Sequence, residues 1–172
     1  MDFTKRPGPQ ECFGYHRDYV ANVPNGNIME ILTRQLSEIP QFIVSLPRSA
    51  MMVVHPPFSW RIHTVIEHCC DAERVMGYRA LRFATGDQTE LPGWDESHFA
   101  RCGYGECTDP QALAEEFRAL RQANLCLLHR LSENSFDQIG TANGMRASVR
   151  TLAWLSAGHW LHHQKILEKR LA

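Results

Sequence analysis

The stretch that decides the fold is Arg146–Arg170, RASVRTLAWLSAGHWLHHQKILEKR. At about 100° per residue, Val149, Leu152, Ser156, Ile166 and Leu167 fall on one arc of a helical wheel. His159 and His163 lie near the centre of that arc, one turn apart and about 40° apart in projection. His162 falls at its edge. Burying two imidazoles is unfavourable unless their polar atoms find partners. A divalent cation would use one nitrogen lone pair from each, whereas a hydrogen-bonded core needs no ion. The spacing alone leaves both readings open.

Working outward, the same period recurs three more times. Ile28, Leu32, Leu36, Ile39, Ile43 and Leu46 mark a first helix that begins after Asn25-Gly26-Asn27. Pro40 is expected to kink or split it, and Pro47 to stop it. Ile62, Val65, Cys69, Ala72, Met76, Ala80 and Phe83 mark a second helix, with Ser59 as its expected N-cap and Gly86-Asp87 as its end. Asp109-Pro110 opens a third, carrying Leu113, Phe117, Leu120, Leu127 and Leu131.

Between these lie a loop over 87–108, containing Leu91-Pro92-Gly93-Trp94, and a polar connection over 132–147. Loops of that length are often functional. No stretch reads as a β-strand, and no internal repeat is present. The expectation is an all-α four-helix bundle with long connecting loops. Residues 1–26, rich in Pro, Gly and aromatics, are expected to form an arm packed on a bundle domain of residues 27–172. A short helical turn is expected around Cys12–Tyr19.

Composition narrows the function classes. The chain has 172 residues, 44% hydrophobic and 22% charged, which is ordinary for one globular domain. Eighteen Lys and Arg against nineteen Asp and Glu leave a net charge of −1, so nonspecific nucleic-acid binding lacks its main electrostatic driving force. There is no apolar run of about 18 residues to span a membrane. The opening Met1-Asp2-Phe3-Thr4-Lys5-Arg6-Pro7 lacks a signal-peptide core. A cytoplasmic protein is therefore expected, with its six cysteines as free thiols.

Other polar residues fall near the inward faces. His68 sits on the flank of the second helix's arc, about 90° from its centre. Glu73 lies closer to the arc, where a carboxylate must ligate or be paired. The structural reading is an ion pair with an inward arginine; the functional ones are a proton acceptor or, by preference between the two, a partner that orients a ligand histidine. Asn124 falls near the centre of the third helix's stripe. Arg121, about 60° off that centre, is suited to an anion or to Glu73. His63 points elsewhere.

Three segments carry a family resemblance: Val65-Ile66-Glu67-His68-Cys69-Cys70-Asp71-Ala72-Glu73-Arg74, Tyr78-Arg79-Ala80-Leu81-Arg82, and Ala157-Gly158-His159-Trp160-Leu161-His162-His163. Leu91-Pro92-Gly93 and Thr141-Ala142-Asn143-Gly144 add to it. Over roughly 27–172 the chain resembles the DinB/YfiT-like superfamily of metal-binding four-helix bundles. The resemblance implies a metal triad of one histidine from the second helix and a His-x-x-x-His pair from the last. By position these are His68, His159 and His163. It implies a divalent metal, zinc first with nickel or iron(II) as alternatives.

Among its implied activities are transfer or isomerisation with low-molecular-weight thiols, and hydrolysis. The reading is thus a metal-dependent thiol S-transferase or hydrolase acting on a small molecule; the rival is a noncatalytic metal- or ligand-binding bundle. The iron-binding domains of ergothioneine sulfoxide synthases, a related group, read His-x-x-x-His-x-Glu. Here Lys165 stands in the last place, which disfavours that activity.

Two further expectations follow. Because neutral imidazole is the ligand, metal affinity should fall as pH drops through about 6.5. The side of the last helix opposite its stripe carries Trp154, Ala157 and Leu161, with Gly158 close by. That face is expected to form a homodimer interface, unless the arm covers it.

Overall fold

The computed structural model describes residues 2–12, 14–105 and 107–171. Met1 and Ala172, the outer limits of the arm and bundle regions, lie outside them. Among the described residues seven helices and one hairpin follow in order: α1 His16–Ala21, α2 Ile28–Ser45, α3 Ile62–Ala84, α4 Glu96–Cys102, α5 Pro110–His129, α6 Glu133–Phe136, β1 Ile139–Ala142, β2 Met145–Ser148 and α7 Val149–Leu171. A single 3₁₀ turn, Arg48–Ala50, lies between α2 and α3. The four long helices pack in a ring, α2 on α5, α5 on α3, α3 on α7 and α7 back on α2. None is long and apolar enough to cross a membrane.

The local signals explain most boundaries. The Asn27 side chain accepts from Met29 N–H to cap α2, and Asp109 accepts from Gln111 N–H to cap α5, with Pro110 in the first turn. Helix α2 ends where Leu46 turns extended, the conformation favoured before a proline. Two expectations change here. Of the kink or split expected at Pro40, the split does not occur: helix α2 runs through as one element, with Ile39, Pro40 and Ile43 buried. Ser59 is not the cap of α3; Arg61 holds that position, without a side-chain bond.

The fold is mostly helical rather than all-α. Residues 132–147 contain α6 and an antiparallel hairpin with Ala142 opposite Met145. Its tip, Asn143-Gly144, has positive φ at both positions (52° and 70°), which places the two residues in the left-handed region used by two-residue hairpin turns. The loop 87–108 is not structureless either. It contains α4, and Leu91 exchanges backbone hydrogen bonds with the hairpin, to Thr141 O at 2.9 Å and from Asn143 N at 3.0 Å. All six cysteines are free. Burial raises the thiol pKa of Cys69 and Cys70 far above the usual range, which disfavours the thiolate.

The N-terminal segment covers the face of α7 expected to dimerise. Trp154 and Ala157 are fully buried, and the Arg6 guanidinium lies 4.5 Å above the Trp154 ring. The Arg6 guanidinium also donates to Val20 O within the segment, and Ile28 N–H donates to Phe3 O, which ties the segment to the start of α2. The small residue at 158 admits α1, not a second chain: a Cβ on Gly158 would collide with the carbonyl of Tyr19. The dimer expected on this face therefore loses its surface. Gly158→Ala should destabilise the protein by about 1–3 kcal/mol, the usual range for overpacking. Denaturant unfolding reads the change, and an unchanged midpoint would mean that α1 does not sit tightly on α7.

Candidate metal centre

Helices α3 and α7 carry the histidines and pack directly on one another. His68 lies on α3, and His159 and His163 lie one turn apart on α7, which brings all three to one level of the interior. His159 Nε2 is 3.0 Å from His68 Nε2 and 3.2 Å from His163 Nε2. One ligand atom from each of the three lies within 4.8 Å of the others. All three residues are buried.

Burial pulls their pKa values down. His68 falls to about 4, with a smaller contribution from His162. His159 and His163 lie well below the ordinary histidine value, again first through burial and then through their histidine neighbours. The cluster is therefore neutral near pH 7. Three neutral rings turning Nε2 toward one point set lone pairs against one another unless a proton or a cation lies between them. Tetrahedral coordination at about 2.0–2.1 Å needs nitrogens about 3.3 Å apart, close to the spacing here. The donor set fits a divalent ion.

The surroundings are aromatic. Trp94 stacks on His68 with centroids 5.4 Å apart and planes 13° apart, and Trp60 meets the same ring edge-on. Tyr19 of α1 meets His159 edge-on at 5.4 Å. The histidines border an interior cavity of about 190 Å³ whose walls also include Met76, Arg79, Met145 and Leu155. The arm contributes Tyr15, His16 and Tyr19 to it, and the 87–108 loop contributes Trp94 and Glu96.

The remaining sequence candidates stand elsewhere. His162 is partly exposed beside Tyr19, outside the three-nitrogen cluster. His63 is buried and pairs with Glu67 at 3.2 Å, on an adjoining groove that shares Trp60, His68 and Glu96 with the cavity but leaves His63 outside the three-nitrogen cluster. Glu73 does not orient a histidine. Its carboxylate receives two bonds from Arg121, at 2.9 and 2.8 Å, and one from Asn124 at 3.0 Å. Arg121 also donates to Gln35 Oε1 and to Ser156 O, so one guanidinium joins α2, α3 and α7 from α5. His68 Nδ1 is buried with no hydrogen-bond partner among the described residues.

Fold and site together define a class: a helical bundle with an interior cavity headed by three imidazoles. The sequence matches the DinB superfamily model over residues 31–167, and the chain belongs to that superfamily. Two solved structures share the fold. One is YfiT from Bacillus subtilis, a probable metal-dependent hydrolase with an unusual four-helix bundle topology. It has a TM-score of 0.65 at 15% identity, covering 96% of this chain and 94% of that one. The other is the mycothiol-dependent maleylpyruvate isomerase, with a TM-score of 0.65 at 14% identity, covering 84% of this chain and 61% of that one. No curated protein matches the sequence significantly.

Proposed function

We propose that this protein is a metal-dependent enzyme acting on a small molecule, with His68, His159 and His163 as the ligands of one divalent ion. The observation that carries the reading is the convergence of three buried Nε2 atoms at the head of a cavity. When bound, a divalent ion supplies Lewis acidity that makes a thiol or a water molecule more acidic. The chain supplies the rest. Neutral imidazoles offer lone pairs, and the low pKa values keep those lone pairs free of protons. Trp60, Trp94 and Tyr19 shield the rings from bulk water.

Among the described residues no fourth His, Cys or carboxylate joins the cluster. A set of three protein ligands is the pattern of catalytic rather than structural zinc sites, and zinc is the first choice of ion. The reaction is thiol S-transfer or hydrolysis. The thiol reading draws on the mycothiol-dependent neighbour, and the hydrolytic one on the neighbour described as a hydrolase. Metal analysis of tag-free protein, followed by thiol and ester screens with the identified metal restored, tests it. Substoichiometric metal in every preparation, together with failure to bind zinc, nickel or iron(II) on titration, would refute the metal reading. Stoichiometric metal that admits no exogenous ligand would favour the noncatalytic bundle instead.

The low pKa values correct the pH expectation. Protons compete with metal only where the folded, metal-free imidazoles bind them. His68 does so around 4 rather than 6.5, and its partners are lowered in the same direction. Proton competition at these sites thus begins below the ordinary histidine range. Metal affinity should be nearly flat from neutrality through about 6.5 and fall steeply toward about 4. Competition titrations with a fluorescent chelator would show this. A midpoint near 6.5 would mean that the rings are not buried as described.

A further inference from the structure

Arg79 lies on the same face of α3 as His68. Eleven residues separate them, a rotation of about 20° and a rise of about 16 Å. Helical side chains lean toward the N-terminus, which draws the guanidinium back toward the histidines. Arg79 lines the same cavity as the cluster. Among the described residues it makes one hydrogen bond, to Pro92 O at 3.2 Å, and no ion pair. Most of its N–H donors are therefore left without a protein acceptor.

Beside it on the cavity wall, His16 Nδ1 is buried with no partner, and the two groups are close enough for Arg79 to lower the pKa of His16 after burial has done so. Partly buried guanidinium groups are normally paired. Among the described residues the one acidic side chain in this wall, Glu96, is exposed and makes no ion pair with Arg79. Arg79 is the only lysine or arginine among the described residues lining the cavity. One cation and neutral histidines suit a singly charged anion better than a phosphate dianion. The wall between Arg79 and the cluster carries Ala72, Val75 and Met76, on the same face of α3.

We propose that Arg79, assisted by His16, receives a carboxylate of the substrate, so that the substrate is an elongated organic acid whose reacting end meets the histidines. This rests on the metal reading for the reacting end, whereas the carboxylate contact stands on Arg79 and His16 alone.

The test uses full-length protein loaded with cobalt(II), titrated with mercaptohexanoate and mercaptohexanol. Thiolate-to-cobalt charge-transfer absorption reports the thiol end, and calorimetry with hexanoate, hexanol and hexyl phosphate reports the other end without a thiol. The acids should bind about tenfold or more tightly than the matched alcohols, as a charge-assisted pair requires. Arg79→Met should abolish the advantage without changing alcohol binding, and Arg79→Lys should restore part of it. Equal binding of acids and alcohols, or an advantage that survives Arg79→Met, overturns the proposal. Stronger Arg79-dependent binding of hexyl phosphate than of hexanoate overturns the carboxylate assignment. If no thiol reaches the cobalt while hexanoate binding still depends on Arg79, the carboxylate site stands and the thiol reading falls.

Discussion

Replacing His68, His159 or His163 singly with alanine is expected to lower metal affinity by about 100-fold or more. Loss of a residue that merely orients a ligand weakens metal binding by about 10–100-fold, and loss of a ligand removes more. The Nε2 atoms of His68 and His163 lie 3.0 and 3.2 Å from that of His159, so each removal opens one side of the same small volume. His162→Ala and His63→Ala are the controls. The first residue sits beside Tyr19 and the second pairs with Glu67, both outside the cluster. Metal per chain, measured on tag-free protein after dialysis against a weak chelator, reads the result. Circular dichroism confirms that each variant is folded. Full occupancy in His68→Ala would sink the assignment, as would equal losses in the two controls.

Breaking the Glu73–Arg121 pair is expected to have the largest effect on stability. Both side chains are almost wholly buried, at 3% and 1% exposure, and the guanidinium bridges three other helices. Arg121→Met leaves a buried carboxylate with only Asn124 for company. Removing one partner of such a pair costs about 3–5 kcal/mol. That is a large share of the roughly 5–15 kcal/mol that holds a domain together. Urea unfolding measures it. The double change Glu73→Leu with Arg121→Met should recover most of the loss, because no charge is then left buried. If Glu73→Gln instead strips the metal while leaving the unfolding midpoint unchanged, the carboxylate serves the histidines after all.

The helical frame and the three histidines could be read from the sequence for a physical reason. Long buried helices repeat their apolar residues at a fixed angle, and a polar residue inside such a stripe stands out. The family resemblance then joined His68 to a pair that the wheel had already placed. What escaped was set by short-range chemistry or by chain crossing. The hairpin is four residues per strand, too short for a clear alternation, although Asn143-Gly144 carried its turn signal. Glu73 was correctly placed inward, but an inward carboxylate can meet either a histidine or an arginine. Only the packing of α5 on α3 decides for Arg121. Trp60, Trp94, Tyr15 and Tyr19 come from loops and the arm, where no period points inward. Arg79 was within reach, since its eleven-residue spacing from His68 puts both on one helical face.

Tyr15, His16 and Tyr19 wall the cavity, yet they precede residue 31, where the match to the superfamily begins. The three-histidine cluster and part of the chamber beside it are thus written in different portions of the chain. Changes at Tyr15, His16 or Tyr19 would reshape the chamber with the four helices and their histidines untouched. Two members alike across the shared region can differ in what they admit. Likeness across residues 31–167 therefore does not by itself fix the part of the chamber that α1 supplies.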